Sequence, residues 1–232
     1  DMVVDIGPRY GSQVLWRGIS DGSVGANGGW QTSPAITPDQ NKTYRYVVPI
    51  QVPSSTKTGT AYWGIQASKV ANLNTTVTNG NPYFISYSRA SLTTGVWYLF
   101  VGYVFPYNSS GWTHAGSGVY DMRTGANIAS GSNFNWINNP GTVNTRSYMY
   151  YSQSTADRQY FAPPVIHLVD GSEPPLSSFF SETAYQNNNL SLSTSGTTLL
   201  LANGGGNTTL SQGNVGLSGV INNADPTSLN TA

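Results

Sequence analysis

"TYRYVVPIQV" (residues 43–52) and "VWYLFVGYVFP" (96–106) are the segments on which the fold turns. Both are short, apolar and rich in β-branched and aromatic residues, as strands are. Successive side chains of an extended chain point to opposite sides, so Tyr44, Tyr46 and Val48 share one face of the first segment. Trp97, Leu99, Val101 and Tyr103 share one face of the second. Similar runs recur at "SQVLWRG" (12–18), "TAYWGIQA" (60–67), "YFISYS" (83–88), "RSYMYYS" (146–152) and "QYFAPPVIHLVD" (159–170). Between them lie "DGSVGANGG", "TPDQNK", "TKTG", "TNGNP" and "NSSG", whose residues accept positive φ or form Asx turns. Helical periodicity is nearly absent. Six or more strands at this spacing predict a two-layer β-sandwich of jelly-roll type.

Composition restricts what such a domain can do. The 232 residues carry ten basic and ten acidic groups, a formal net charge of zero, and only 9% of residues are charged. A soluble domain ordinarily has about a quarter, so Asn, Ser, Thr, Gln, Gly and Tyr must build this surface. No basic stripe suggests nucleic acid as a partner, and no apolar run approaches the ~18 residues that span a bilayer. Cysteine is absent, which excludes disulfides and thiolate metal sites. The chain starts without Met and ends on "NNADPTSLNTA", and is read as a piece of a longer polypeptide.

The composition shifts near "GSEPPLSS" (171–178), and beyond Pro175 there is neither Lys nor Arg. This divides the chain into a sandwich at 1–175 and a segment at 176–232. In the latter, Leu190, Leu192, Leu199, Leu201 and Leu210 alternate with small polar residues, punctuated by "STSG" and "NGGG". Two or three such strands bury too little surface to stand alone, so the expectation is a β-rich segment that associates with sister chains, most simply as a trimer. A polar linker is the alternative reading.

Chemistry-bearing residues are few. Glycan hydrolysis needs two carboxylates facing across a sugar, whereas Asp1, Asp5, Asp21, Asp39, Asp121 and Asp225 sit mostly in turns. No "GxSxG" nucleophile turn is present, and His114 and His167 lack ligand spacing. The expectation is a non-enzymatic protein. Asp157 and Arg158, in "TADRQYF", are read as a structural brace in which the Arg pairs a carboxylate at the entry to the strand. Neutral sugars are held by aromatic faces and planar polar groups. Trp16, Trp97, Leu99, Val101, Phe134 and Phe161 lie in apolar alternation and are assigned to the core. The candidates for sugar contact are Trp112 and His114 in the loop "NSSGWTHAGSG", Tyr62 and Trp63, of which one must face away from the core, and Trp136 in the polar "NFNWINN". Contact with a neighbouring chain would use such aromatics equally well.

Several blocks carry a resemblance: "ANGGWQTSPAITPDQNKTYRYVVPIQV", "NPYF", "WYLFVGYVFP", "GVYDMRTG" and "YMYYSQSTADRQYFAPPVIHLVDG", in that order over residues 1–175. Together they resemble the carbohydrate-binding-module-like β-sandwich of phage tail fibres and other virion appendages. The stretch "NLSLSTSGTTLLLANGGGNTTLS" resembles the leucine and "NGGG" repeat of phage fibres and bacterial surface adhesins. The resemblance implies a virion-surface homo-oligomer that contacts other virion proteins and a host surface glycan, without inserting into a membrane. A purely structural virion component, a cell-surface adhesin and a module of a larger protein are the alternatives. No cofactor is implied beyond a structural Ca²⁺, for which Asp5, Asp21, Asp121 and Asp170 are the available oxygens. One departure is Phe105-Pro106, standing where the family carries His-Pro, which removes a polar role from that position.

Overall fold

The computed structural model describes residues 1–8, 11–31, 34–108, 110–113 and 116–180, and the backbone of three strands between 191 and 210. Apart from two short 3-10 turns, the regular elements of the described residues are all strands. The chain divides into two compact units, Asp1–Tyr185 and Gln186–Ala232.

The first unit contains two sheets. One runs β1 (Met2–Ile6), β2 (Ser12–Ile19), β14 (Arg158–Phe161), β5 (Thr43–Gln51), β9 (Trp97–Phe105), β10 (Gly118–Asp121) and β11 (Asn127–Ser130). Three short strands, β7 (Val70–Asn72), β12 (Phe134–Trp136) and β15 (Val165–Val169), extend it to ten. The other runs β3 (Ala26–Trp30), β13 (Val143–Tyr150), β6 (Thr60–Ile65) and β8 (Tyr83–Ser88), with β4 (Ala35–Ile36) also on β13. Pairing is antiparallel throughout these sheets except between β12 and β9. The sheets form a β-sandwich, as the alternating segments predict.

The segments at 43–52 and 96–106 become neighbours at its centre, with Tyr46 opposite Gly102 and Val48 opposite Phe100. Every residue of β9 is buried, because both of its faces are covered. Tyr46, Val48, Ile50, Tyr98, Phe100 and Val104 enter the core between the sheets, where they join Trp63, Phe84 and Phe161. Trp97, Leu99, Val101, Tyr103 and Phe105 form a second cluster on the opposite face. Leu176, Phe179 and Phe180, the first residues of the segment set apart at 176–232, pack onto that second cluster.

Two expectations need correction. "QYFAPPVIHLVD" is not one strand but two, β14 bridging β2 and β5, and β15 continuing along β5 alone. Pro163 and Pro164 divide them, since proline has no N–H for the ladder and a fixed φ. "ANGGW", expected as a turn, is strand β3. Its glycines permit this: Gly29 has φ +136°, and a Cβ there would run into the Ser147 carbonyl oxygen of the neighbouring strand.

One buried ion pair ties the two sheets together at one end. Arg89 Nη1 lies 3.1 Å from Asp157 Oδ2, and both side chains are fully buried. The same oxygen accepts from Thr58 Oγ1 at 2.6 Å, from the Thr58 amide at 3.1 Å and from Ser152 Oγ. Arg89 also donates to the carbonyls of Thr58 and Arg158. The Ser20 amide at the end of β2 donates to the Asp157 carbonyl. The cation that pairs with Asp157 is Arg89. Arg158 gives its guanidinium to the carbonyls of Thr155 and Asp157, at 2.7 and 2.8 Å.

The second unit contains an antiparallel three-stranded sheet, β16 (Ser191–Ser195), β17 (Thr198–Asn203) and β18 (Gly206–Leu210). Leu192 is in register with Leu201, and Leu199 with Leu210. Leu190 lies outside the described residues.

Burial pulls the Asp157 carboxyl upward, but hydrogen bonds from Ser152, Thr58 and Thr56, together with the Arg89 charge, outweigh it and hold the group below its ordinary value. A carboxyl depressed on folding stabilises fully above its unfolded value of about 4 and loses that contribution as pH falls through the folded value. Urea midpoints are therefore expected to fall on acidification below about pH 4, with a shallower fall in Asp157→Asn. An equally steep acid limb in the variant would remove Asp157 from the response. Near neutral pH, Arg89→Leu strands a buried carboxylate and is expected to cost about 3–5 kcal/mol in the same titration.

Candidate functional site: a tyrosine face on the smaller sheet

Strand β13 alternates without interruption: Val143, Thr145, Ser147 and Met149 are buried, while Asn144, Arg146, Tyr148 and Tyr150 are half-buried on the outer face. Two small polar residues point inward because the sheet gives them partners. Ser147 Oγ donates to the Tyr62 carbonyl at 2.6 Å, and Thr145 Oγ1 accepts from the Trp30 indole. The larger aromatic and charged residues are left outside, where neighbouring strands add to them. Register places Tyr148 beside Tyr62 of β6, and Arg146 beside Gly64, which itself pairs with Tyr83 of β8.

The rings form a connected row. Tyr62 and Tyr83 have centroids 4.6 Å apart, Tyr62 meets Tyr150 edge to face at 6.0 Å, and Tyr83 meets Tyr148 at 6.4 Å. Tyr151, half exposed, extends the row beyond Tyr150 at 4.5 Å. Polar groups with planar hydrogen-bonding edges frame it. Tyr148 Oη donates to Gln31 Oε1 at 3.0 Å, and Arg146 Nη2 donates to Asn81 Oδ1 at 3.0 Å. The Arg146 guanidinium lies over Tyr83, 4.2 Å from the ring centroid. Gly64 is the residue between them on β6. A Cβ there would come within 2.9 Å of Tyr83 Cδ1 and strike the Pro82 carbonyl oxygen.

Burial raises the Tyr83 hydroxyl above its ordinary value, and the Arg146 charge opposes this only in part; Tyr148 behaves in the same way. Both therefore stay protonated at neutral pH and keep an O–H to donate.

The sequence candidates separate clearly against this geometry. Of the adjacent pair, Tyr62 faces outward into the row, and Trp63 is completely buried with its indole N–H on the Tyr46 carbonyl. Trp136 is also buried, at 1% exposure, and donates to the Lys42 carbonyl. Trp63 and Trp136 are therefore corrected from candidate contacts to core residues. The polar neighbours of Trp136 are explained by their own bonds, as Asn135 donates to the Pro106 carbonyl and accepts from the Asn74 amide.

Trp112 is 39% exposed and stacks on Phe105 with centroids 4.8 Å apart and planes 18° off parallel. Asn74 holds its backbone at both ends, giving Nδ2–H to the Trp112 carbonyl and accepting from the Trp112 amide, each at 3.1 Å. Asn74 also lines a polar depression of about 400 Å³ with Thr75, Thr76 and Asn108. Phe105 belongs to the outer cluster of the larger sheet, so Trp112 and Tyr62 lie on opposite sides of the sandwich. His114 lies outside the described residues.

The calcium candidates are not brought together. Asp5 accepts from the Ile6 amide, Asp21 from the Ser23 amide and Asp170 from both donors of Ser172, while Asp121 is bidentate with Arg123. Among the described residues no three His, Asp or Glu side chains cluster as metal ligands do. His167 packs edge-on to Phe179 at 5.9 Å and contacts Arg45 Nη2 at 3.3 Å; burial and then the Arg45 charge lower its pKa. It joins β15 to the segment that folds back over the sheet.

Tyr83, Tyr148, Tyr150 and Arg146 were not singled out from the sequence. The signal available was the "RSYMY" alternation, in which cation, aromatic and aromatic recur at every second position. A further aromatic depression, about 370 Å³, lies between Trp16 and Trp30 and is walled by Phe161, Pro163 and Pro164. Trp16, assigned to the core from sequence, is only partly buried at its edge. No family model, curated protein or solved structure matches the chain.

The inward and outward assignments are separable by stability. Trp63→Ala is expected to cost about 3–5 kcal/mol in urea denaturation, as deletion of a fully buried ring does. Tyr62→Ala, on the outer face, is expected to cost about 1 kcal/mol or less. Equal losses would contradict the assignment.

Proposed function

We propose that this chain is a non-enzymatic glycan-recognising module of a virion appendage, with a jelly-roll-type sandwich that binds sugar and a C-terminal segment that associates with its sister chains as a trimer. The observation that carries the glycan part is the row Tyr148, Tyr83, Tyr62 and Tyr150, framed by Gln31, Asn81 and Arg146. Aromatic edges and faces meet the C–H patches of a sugar, and planar amides and a guanidinium fork to its hydroxyls. The open face of a sheet accepts an extended chain of sugars, and a low charge density suits a largely neutral, hydroxylated ligand. Trp112, presented on Phe105 beside a polar depression, supports a second contact on the other side of the sandwich.

The appendage part rests on the resemblance of the sequence blocks, together with the leucines in register across β16, β17 and β18. Three linked copies of a weak sugar site gain avidity of orders of magnitude without new contacts.

A purely structural role within a particle is favoured by a different observation. Strand β1 is at the margin of the larger sheet, pairs only with β2, and exposes Met2, Val4 and Ile6 at 59%, 73% and 58%. An apolar sheet edge of this kind suits contact with another chain.

Glycan-array binding of the full chain is expected to be positive, and to fall by about ten-fold or more in Tyr62→Ala and Tyr148→Ala with melting temperatures near that of the parent. Binding unaffected in both variants would refute the tyrosine face as the site. Mass photometry is expected to give a trimer for the full chain and a monomer for residues 1–185. A monomer in both would end the oligomerisation reading.

A further inference from the structure

Charge on the tyrosine face is unbalanced. Among the described residues the other guanidinium groups are matched by carboxylates or carbonyls: Arg17 pairs with Asp1, Arg89 with Asp157 and Arg123 with Asp121. Arg45 donates to the Pro174 carbonyl, and Arg158 to two carbonyls of its own turn. Arg146 is set differently. It makes no ion pair among the described residues, its Nη2 donates to the neutral Asn81 side chain, and its Nε, like those of Arg45 and Arg89, is buried without a partner. None of the strands β3, β4, β13, β6 and β8 contains an Asp or Glu.

The position of this cation is built rather than incidental. Arg146 pairs with Gly64 of β6, which pairs in turn with Tyr83, and the Tyr83 ring covers one side of the guanidinium. Stacking on a ring orients the guanidinium plane and removes part of its water without neutralising it. A full positive charge, partly desolvated and held in one orientation, strongly favours an incoming anion that can accept a charge-assisted hydrogen bond. The protonated Tyr83 hydroxyl on the same face is a further donor. No carboxylate on the face competes for that position.

Resting on the glycan reading above, we infer that the sugar bound at the tyrosine face carries an anionic group, a carboxylate or a sulfate ester, and that Arg146 receives it. The remaining sugar rings lie along Tyr62 and Tyr150, which interact with neutral and acidic sugars alike. Arg146 is then the residue that sets specificity, and the tyrosines supply the common part of the affinity.

Isothermal titration calorimetry of the full chain tests this with three matched oligosaccharide probes: oligogalacturonate, the neutral galactose oligomer and a sulfated galactan oligomer. The expected result is tighter binding of at least one anionic probe than of the neutral one by about ten-fold or more at low salt, narrowing as salt screens the pair. Which anionic probe leads identifies carboxylate or sulfate. Arg146→Gln is expected to bring the anionic and neutral probes to equal affinity, while Arg146→Lys keeps part of the preference. Equal binding of neutral and anionic probes by the parent, or a preference that survives Arg146→Gln, overturns the inference and leaves the glycan reading standing. Binding of none of the probes, with the parent chain also binding nothing on the glycan array, overturns both. Melting curves of each Arg146 variant distinguish lost recognition from lost folding.

Discussion

The structure depends on one buried pair of charges. Arg89 follows β8 of the smaller sheet and Asp157 precedes β14 of the larger, and their contact is reinforced by Thr58 before β6 and Ser152 after β13. Desolvating both charges is costly, and a pair alone would return little of that cost. What makes the arrangement work is its set of further bonds, from two hydroxyls and one amide to the carboxylate and from the guanidinium to two carbonyls. Such geometry fixes how the two sheets meet at this end.

That frame determines what the outer surfaces can carry. With Trp63, Phe84, Phe100 and Phe161 filling the space between the sheets, the alternate residues of β6 and β13 have to face outward. The larger sheet covers much of its outer face with the chain's own residues, Leu176, Phe179 and Phe180 among them. The smaller sheet carries half-buried tyrosines on its outer face instead. The asymmetry separates a face used for packing from one with rings, amides and a cation at its surface, and it is the structural basis of the proposed recognition.

Much of the fold was legible in the sequence because strand patterning is a local property. The runs at 12–18, 43–52, 60–67, 83–88, 96–106 and 146–152 all contain strands within a few residues of their expected limits. The reading failed where local chemistry has two outcomes. Glycine-rich "ANGGW" reads as a turn until a close neighbouring backbone requires glycine in a strand. The "FAPPV" run reads as continuous until its prolines break the ladder between two partners. Trp136 looked like a surface residue among asparagines, yet its neighbour Asn135 satisfies two backbone groups and the ring itself is buried.

By itself the sequence determined an all-β chain, a neutral amide- and hydroxyl-rich surface, and the fact that one of Tyr62 and Trp63 must face away from the core. Each follows from residue type and a two-residue period, which the chain carries at every point along its length. Only the tertiary structure decided that Tyr62 is the outward one, that Arg89 rather than Arg158 neutralises Asp157, and that Arg146, Tyr83 and Tyr148 converge on one face. These outcomes depend on strand order and register, which bring together residues far apart in the chain, and no local pattern encodes which strand will lie alongside which.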